Sequence, residues 1–397
     1  MIKSAVAVIG ANYGDEGKGS FVDYHTYNRS YLNPLVIRTN GGAQAGHTVQ
    51  TPDGRRHVFS HFGSGTFCEA PTYLSEFFIV NPMLFKKERH ELLSKKTNPF
   101  VLVDQSVLVT TPFDMYVNQL TELSRGANKH GSVGMGINAT VERHEKIPLT
   151  INDLTDINLL TSKLYEIAEY SKSLFTDEVI ALLPFNAFDY IDTIIENFSI
   201  DCQYFTLHTN RVDSSIIDTY QSVIFEASQG LMLDKEYGDF PHVTRSNCGL
   251  QNINMLLDKF NTSDMFLEVN YITRWYQTRH GAGPLFFEQP FPDFIQDETN
   301  KPNDWQGSLR FAPLDYKRLT NLMQQDLTHL EGKFDPKLTL SITCLDQIPV
   351  EKIPYPVNFN NLDVANTSRT SLVHQLVEVS DYTNYGPTRS TIYKHLS

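Results

Sequence analysis

Cysteine is scarce in this chain. Cys68, Cys202, Cys248 and Cys344 are the four present, and they lie far apart with no metal-ligand spacing. That usage excludes a cysteine-ligated zinc module or a disulfide-stapled fold, and it fits reduced thiols in a cytosol. Basic charge is in deficit too: 33 Lys and Arg stand against 46 Asp and Glu, a formal net charge of −13. A polyanion-binding surface is therefore not expected, although local basic sites can still hold small phosphates. No apolar window reaches the roughly 18 residues a membrane helix needs, and Met1-Ile2-Lys3-Ser4 lacks signal-peptide architecture, so a cytoplasmic protein with no membrane or nucleic-acid partner is expected. Repeats, low-complexity tracts and poly-Ser or poly-Gly linkers are missing as well. Apolar substance is not: 397 residues, 41% hydrophobic and 20% charged, can build a sizeable core, as two domains or one large elaborated α/β domain.

The chain is organised around one glycine-rich turn. Val6-Ala7-Val8-Ile9 reads as a buried strand and runs directly into Gly10-Ala11-Asn12-Tyr13-Gly14-Asp15-Glu16-Gly17-Lys18-Gly19-Ser20, after which Phe21-Val22-Asp23-Tyr24 resumes a helical pattern. Glycines 14, 17 and 19 let backbone N–H groups approach an anion, the helix adds its positive end, and Lys18 adds a point charge. The Walker pattern is a near miss, because Tyr13 and Gly19 occupy places that require glycine and a hydroxyl residue. Asp15 and Glu16 would repel a phosphate unless a divalent cation bridges them or the acid does proton chemistry, so the loop points to catalysis.

Further along, strand-like runs at 5–10, 35–38, 76–80 and 100–104 alternate with helical pieces at 82–93 and 112–126, which favours a largely parallel central sheet. Residues 153–175 read as an amphipathic helix with Asp153 as N-cap, and with 188–220 they form a helical accessory layer around 150–220 of one large folding unit, 1–397. Strand character returns at 223–226, 265–269 and 338–345, and 297–313 reads as a long loop.

A second glycine-rich stretch, Asn40-Gly41-Gly42-Ala43-Gln44-Ala45-Gly46-His47-Thr48, follows strand 35–38. The pair Gly-Asp-Glu-Gly-Lys-Gly and Gly-Gly-x-x-Ala-Gly-His-Thr, about thirty residues apart, resembles the adenylosuccinate synthetase family. Gly131-Ser132-Val133-Gly134-Met135-Gly136, Phe225-Glu226-Ala227-Ser228-Gln229-Gly230, Pro241-His242-Val243-Thr244, Thr278-Arg279-His280-Gly281-Ala282-Gly283-Pro284, Thr343-Cys344-Leu345-Asp346 and Tyr385-Gly386-Pro387-Thr388-Arg389 follow in family order. The resemblance implies a Mg²⁺-dependent ligase, an α/β protein with a central, mostly parallel sheet wrapped by helices and long loops, and a homodimer. Its reaction phosphorylates O6 of a purine nucleotide and then lets the aspartate amine displace that phosphate.

By the same resemblance Asp15 is the base that takes the N1 proton and a magnesium ligand with the Gly46 carbonyl, and His47 stabilises the transferring phosphoryl group. Lys18, Gly14, Gly17, Gly19 and Thr48 meet the triphosphate, and Glu16 is placed there less directly. Gln44, Ser132, Val133, Thr244 and Gln229 face the purine nucleotide, with Val133 standing where a second threonine is common. Arg143 lies near a family arginine donated across a dimer interface, and a surface arginine is the alternative. Asp346, Gly386 and Pro387 match the wall around the donor base, but Cys344 replaces a stacking lysine, so ATP or dATP becomes as reasonable a donor as GTP.

The largest departure is in the aspartate loop. Where the family carries Thr-Gly-Arg-Arg-Arg-Arg, this chain has Asn303-Asp304-Trp305-Gln306-Gly307-Ser308-Leu309-Arg310-Phe311, so Arg310 is the surviving carboxylate fork, helped by Ser308 and Gln306. The loop is similar to the bacteriophage branch of the family, which takes dGMP in place of IMP, although that branch commonly has serine where Asp15 stands. On the loop dGMP is the expected acceptor, with IMP the alternative, and Asp15 beside N1 could either accept from a guanine 2-amino group or crowd it.

Overall fold

The computed structural model describes residues 2–126, 131–132, 134–297, 300, 307–348, 358–359, 362–363 and 380–395. Among these, a ten-stranded sheet forms the centre. In chain order its strands are β1 (Ser4–Gly10), β2 (Pro34–Arg38), β3 (Thr72–Leu74), β4 (Val101–Asp104), β5 (Asn210–Val212), β6 (Ser222–Glu226), β7 (Phe266–Arg274), β8 (Lys337–Thr343), β9 (Tyr382–Asn384) and β10 (Ile392–Lys394). Their spatial order is β10-β9-β8-β7-β1-β6-β2-β3-β4-β5. Every neighbouring pair is parallel except the edge pair β9–β10. Strands covered on both faces read as continuous apolar runs, and β1, β2 and β6 are buried along nearly their whole length.

Helix Lys18–Asn28 returns from β1 and begins at Gly17, whose φ of 92° suits a residue without Cβ. Helix Pro112–Ser124 starts with a full capping box between Thr111 and Asp114 and a proline in its first turn. The accessory layer contains helices Ile157–Ser173 and Ile191–Leu207, which share a second apolar cluster with helices Pro82–Ser94 and Pro112–Ser124 through Leu160, Leu164, Phe198, Phe205, Phe85 and Phe113. Asp153 does not cap the first of these. Asp156 does, accepting from the N–H groups of Asn158 and Leu159, while Asp153 closes a capping box on Thr150 one short helix earlier. The region 188–220 is helical only through Leu207, with β5 and a short 3₁₀ segment after it. Part of the loop expected at 297–313 is strand, since Arg310–Pro313 pairs antiparallel with Tyr276–Arg279. No helix among the described residues is long and apolar enough to cross a membrane.

Candidate active site

In a parallel sheet the strands' C-terminal ends point their loops to one rim, and ligands settle where the order of connection reverses. That reversal falls at β1, between β6 and β7. Three glycine-bearing turns meet there. A Cβ on Gly230 would lie 2.3 Å from the Asn12 carbonyl oxygen, and one on Gly19 would lie 2.7 Å from that of Thr48, so the phosphate loop is sandwiched between the 227–230 turn and the loop that carries His47.

Within the loop, Glu16 behaves differently from a phosphate contact. Its carboxylate accepts from the N–H groups of Asn12 (3.0 Å) and Gly14 (2.9 Å), and it pairs with the Lys18 ammonium at 2.9 Å. Lys18 also donates to the Gln229 carbonyl at 2.5 Å. Both members of the pair are 2% exposed. Glu16 is thus an internal anion that takes the loop's Asn12 and Gly14 donors, so those of Gly17, Gly19 and the helix start are left for a triphosphate.

Asp15 sits at φ 61° beside His280, whose Nε2 lies 3.2 Å from its Oδ2, while Arg274 Nε donates to the Asp15 carbonyl at 2.6 Å. Burial pushes the Asp15 carboxyl up, but the hydrogen bond and charge of His280, with Arg274 and Lys18, outweigh it and hold the group below its ordinary value. His280 is raised: burial lowers it, and the bond to Asp15 more than compensates. Asp15 is accordingly ionised and able to accept a proton.

His47 is buried, and its Nδ1 stands 2.5 Å from Glu226 Oε1. Glu226, at the end of β6, also accepts from the Ser64 hydroxyl (2.5 Å) and N–H (2.9 Å). Burial opposes its charge, yet Arg38, His47 and Ser64 hold its pKa at about 2, so it acts as acceptor only and His47 must donate Nδ1–H to it. Burial lowers the His47 pKa, which makes this contact a hydrogen bond donated by a neutral ring, with Nε2 left for a ligand.

The remaining expected residues divide. Gln44 is partly buried with an unpartnered Oε1, Ser132 accepts from Asn118 at 2.8 Å, and Thr244 is tied to Leu233 through its N–H at 2.8 Å. Thr48 pairs with Val58 in the hairpin that His47 opens, and Gly46 is exposed immediately before it. Asp346 is exposed after Cys344, which takes φ 62°, and Ser20 reaches the Pro387 carbonyl at 3.5 Å beside Gly386, so the expected donor-base wall adjoins the first turn of the helix after the phosphate loop. Val133 and Gln306 lie outside the described residues.

Two expectations change. Arg143 is 2% exposed and committed to its own chain, bonding Asp114 (3.2 and 3.0 Å) and the carbonyls of Ile147 and Val109; it is neither a surface residue nor available to reach a neighbouring subunit. Arg310 already holds a carboxylate. Its Nε and Nη2 meet Glu288 at 2.8 and 2.5 Å, and its Nη1 donates to the carbonyls of Gly281 and Gly283. Ser308 is exposed beside it. Glu226, His280 and Glu288 are among the polar residues to which sequence reading gave no role, as are Arg274, Asp239 and Arg318. A lone acid ending the buried run Val223-Ile224-Phe225 was the signal available for the first.

No group of three or more His, Cys, Asp or Glu among the described residues could hold a metal ion. Magnesium bound with substrate phosphates needs only one or two protein carboxylates, so Asp15 with the Gly46 carbonyl remains a compatible donor set.

A family model described as adenylosuccinate synthetase matches residues 7–304. The adenylosuccinate synthetase of Borrelia turicatae is 27% identical over 317 residues, covering 75% of this chain and 70% of the relative. That of Lactobacillus acidophilus is 29% identical over 303 residues, covering 75% and 66%, so the matched stretch spans about two thirds of such relatives. Among solved structures, the fully ligated adenylosuccinate synthetase from Plasmodium falciparum superposes with a TM-score of 0.72 at 16% identity, covering 98% of this chain and 99% of that one. The succinoaminodeoxyadenylate synthetase of cyanophage S-2L, bound to dGMP and to dATP as an energy donor, gives 0.63 at 14% identity, covering 100% and 97%. At those identities the two superpositions speak to fold, which is the α/β arrangement described above.

Proposed function

Because the chain belongs to the adenylosuccinate synthetase family of nucleotide-dependent carbon–nitrogen ligases, we propose that it joins L-aspartate to C6 of a 6-oxopurine nucleotide through a 6-phosphoryl intermediate, with dGMP the preferred acceptor. The product is then 2-amino-2′-deoxyadenylosuccinate. The observation that carries the ligase reading is the packing of a Glu226-backed His47 against Gly19 of the same phosphate loop that holds an ionised Asp15. Asp15 removes the N1 proton so that O6 becomes nucleophilic. His47 presents Nε2 to the phosphoryl group, whose charge favours the protonated ring and thus a donated hydrogen bond. Lys18 exchanges its bond to the Gln229 carbonyl for the same group. Magnesium held by Asp15 and the Gly46 carbonyl would spread charge from the transferring phosphate.

The choice of dGMP rests on the loop, where Gly307 stands in place of an arginine that, in the family, lies near the ribose. Gly307 has φ 70°, and a Cβ built there meets nothing within 4 Å, so no described group takes the place of the arginine side chain. The dGMP and dATP bound by the cyanophage enzyme are in line with this choice and with Cys344 in place of a lysine. A second reading, IMP as acceptor, is favoured by Asp15 itself.

Initial rates with IMP and with dGMP, using aspartate, Mg²⁺ and GTP, ATP or dATP, test both, with product mass confirmed. The proposal expects dGMP to be preferred. Preference for IMP replaces it with the second reading, and absence of product from either acceptor removes the ligase assignment.

A further inference from the structure

Three guanidinium groups and two carboxylates gather where the phosphate loop meets the turn at 281–288. Arg279 lies over the Tyr13 ring with its Cζ 4.6 Å from the centroid, and Arg310 and Asp239 are close enough to act on its charge. Arg318, in the first turn of helix Tyr316–Leu327, lies over Phe286 at 5.0 Å and donates to the Tyr13 hydroxyl at 3.3 Å and to Asp239 at 2.7 Å. Three positive groups against two negative ones leave the cluster with one uncompensated charge.

The three arginines are held differently. Arg279 is 2% exposed and braces the turn through the carbonyls of Pro284 and His242. Arg310 has its fork on Glu288 and its remaining nitrogen on two more carbonyls of that turn. Both therefore maintain the turn that places His280 against Asp15. Arg318 has no backbone carbonyl among its partners in the described residues. Its ion pair with Asp239 is partly solvated, at 21% and 31% exposure, and such pairs contribute only about 0–1 kcal/mol. An incoming carboxylate can take the place of Asp239 at little cost, and a planar guanidinium backed by an aromatic face is well suited to receive it.

We infer that Arg318 is the carboxylate-binding residue for the amino-acid substrate, kept in position by Asp239 until the substrate displaces it. The inference rests on the ligase reading for the identity of the substrate, aspartate. It explains how a chain short of arginines in the 303–311 stretch still recognises a dicarboxylic amino acid: the guanidinium comes from the next helix.

Equilibrium binding of radiolabelled aspartate to the full chain, with purine nucleotide saturating, tests it without requiring turnover. Arg318→Met should weaken aspartate binding about tenfold or more while nucleotide affinity changes less than about twofold. Arg318→Lys should fall between the two, and it carries the test if the methionine variant does not fold. Asp239→Asn should bind aspartate as tightly as the parent or more tightly, because the competitor is gone. Equal loss of nucleotide and aspartate affinity in Arg318→Met would move the residue to the nucleotide phosphate and overturn the inference. So would weakening by Asp239→Asn that matches Arg318→Met, the mark of a structural brace, or failure of the parent to bind aspartate. Aspartate binding with the expected variant pattern but no product from either purine acceptor would sink the ligase reading and leave Arg318 assigned.

Discussion

Lys18 and Glu16 pair with 2% exposure each, whereas Arg310 and Glu288 pair with 25% and 42%. The same contrast separates the phosphate side of the site, with His47 at 7% and Glu226 at 0%, from the amino-acid side, with Arg318 at 21% and Asp239 at 31%. A buried pair cannot lose one member without stranding the other charge in a poor solvent, while a solvated pair can be changed one residue at a time. The two regions therefore tolerate different histories. The groups that face the phosphoryl group sit where charges are desolvated and interlocked, and recognition is rewritten where water screens the change.

The largest expected effects fall on the two catalytic side chains, Asp15, which is 32% exposed, and the buried His47. Asp15→Asn removes the only proposed proton acceptor and should lower kcat by about 10²–10⁴, and His47→Ala should do so by about 10²–10³. In both variants circular dichroism should be unchanged, because Asp15 is partly solvated and Glu226, on losing His47, keeps the Ser64 hydroxyl and N–H and the charge of Arg38. Near-normal kcat in either would break the contrast by showing the interlocked charges to be structural. Next comes a stability effect. Asp114→Ala leaves the buried Arg143 guanidinium without its carboxylate and should cost about 3–5 kcal/mol in denaturant unfolding, far more than any change at the solvated pairs.

This contrast also explains what was legible in the sequence. The strand–turn–helix at 6–24 could be read because its periodicity, glycines and charges are local, and the parallel sheet followed from alternating buried runs. Asp156 rather than Asp153 as helix cap was missed because two acids three residues apart each start a helical turn, and only hydrogen-bond geometry separates them. Glu226 and His280 were quoted within stretches whose roles were left open, and Glu288 was not singled out, since their partners lie 179, 265 and 22 residues away, and pairing across such distances leaves no periodic trace. Arg143 misled for the opposite reason. It looks solvent-facing in a polar helix, yet the fold turns that face onto Asp114.

A third test concerns a buried carboxyl with no cation. Asp326 accepts from Leu250 N–H at 2.9 Å and the Tyr271 hydroxyl at 2.7 Å, and burial pushes its pKa up to about 7 despite these bonds. An acid whose folded pKa exceeds its ordinary value binds its proton more tightly in the native state, so its contribution to stability is complete below about 4 and is lost as pH rises towards 7. His25 and His47, both lowered chiefly by burial, push the other way below their ordinary values, because the unfolded chain then binds protons that the native rings refuse. The difference between Asp326→Asn and the parent isolates the carboxyl: the variant's relative stability should rise across that window. A flat difference would show that Asp326 is ionised in the folded protein and that burial alone does not set the cost of charge here.

The smallest effect is expected one residue from one of the largest. Glu142 and Arg143 are neighbours on helix Ile137–His144, but Glu142 pairs with Arg245 at 2.7 Å with both side chains more than half exposed. Glu142→Ala should change unfolding free energy by less than about 1 kcal/mol, since water screens the pair and ordering two long side chains offsets most of its attraction. Measured beside Asp114→Ala in the same buffer, it compares two carboxylate–arginine pairs of the same charge types, one buried and one exposed, with the Thr111 cap that Asp114 also closes adding to the buried cost. Costs of similar size would mean that exposure is not what divides the fixed part of this site from the changeable one. A several-fold gap would support assigning the altered recognition to the solvated face formed by Asp239, Glu288, Arg310 and Arg318.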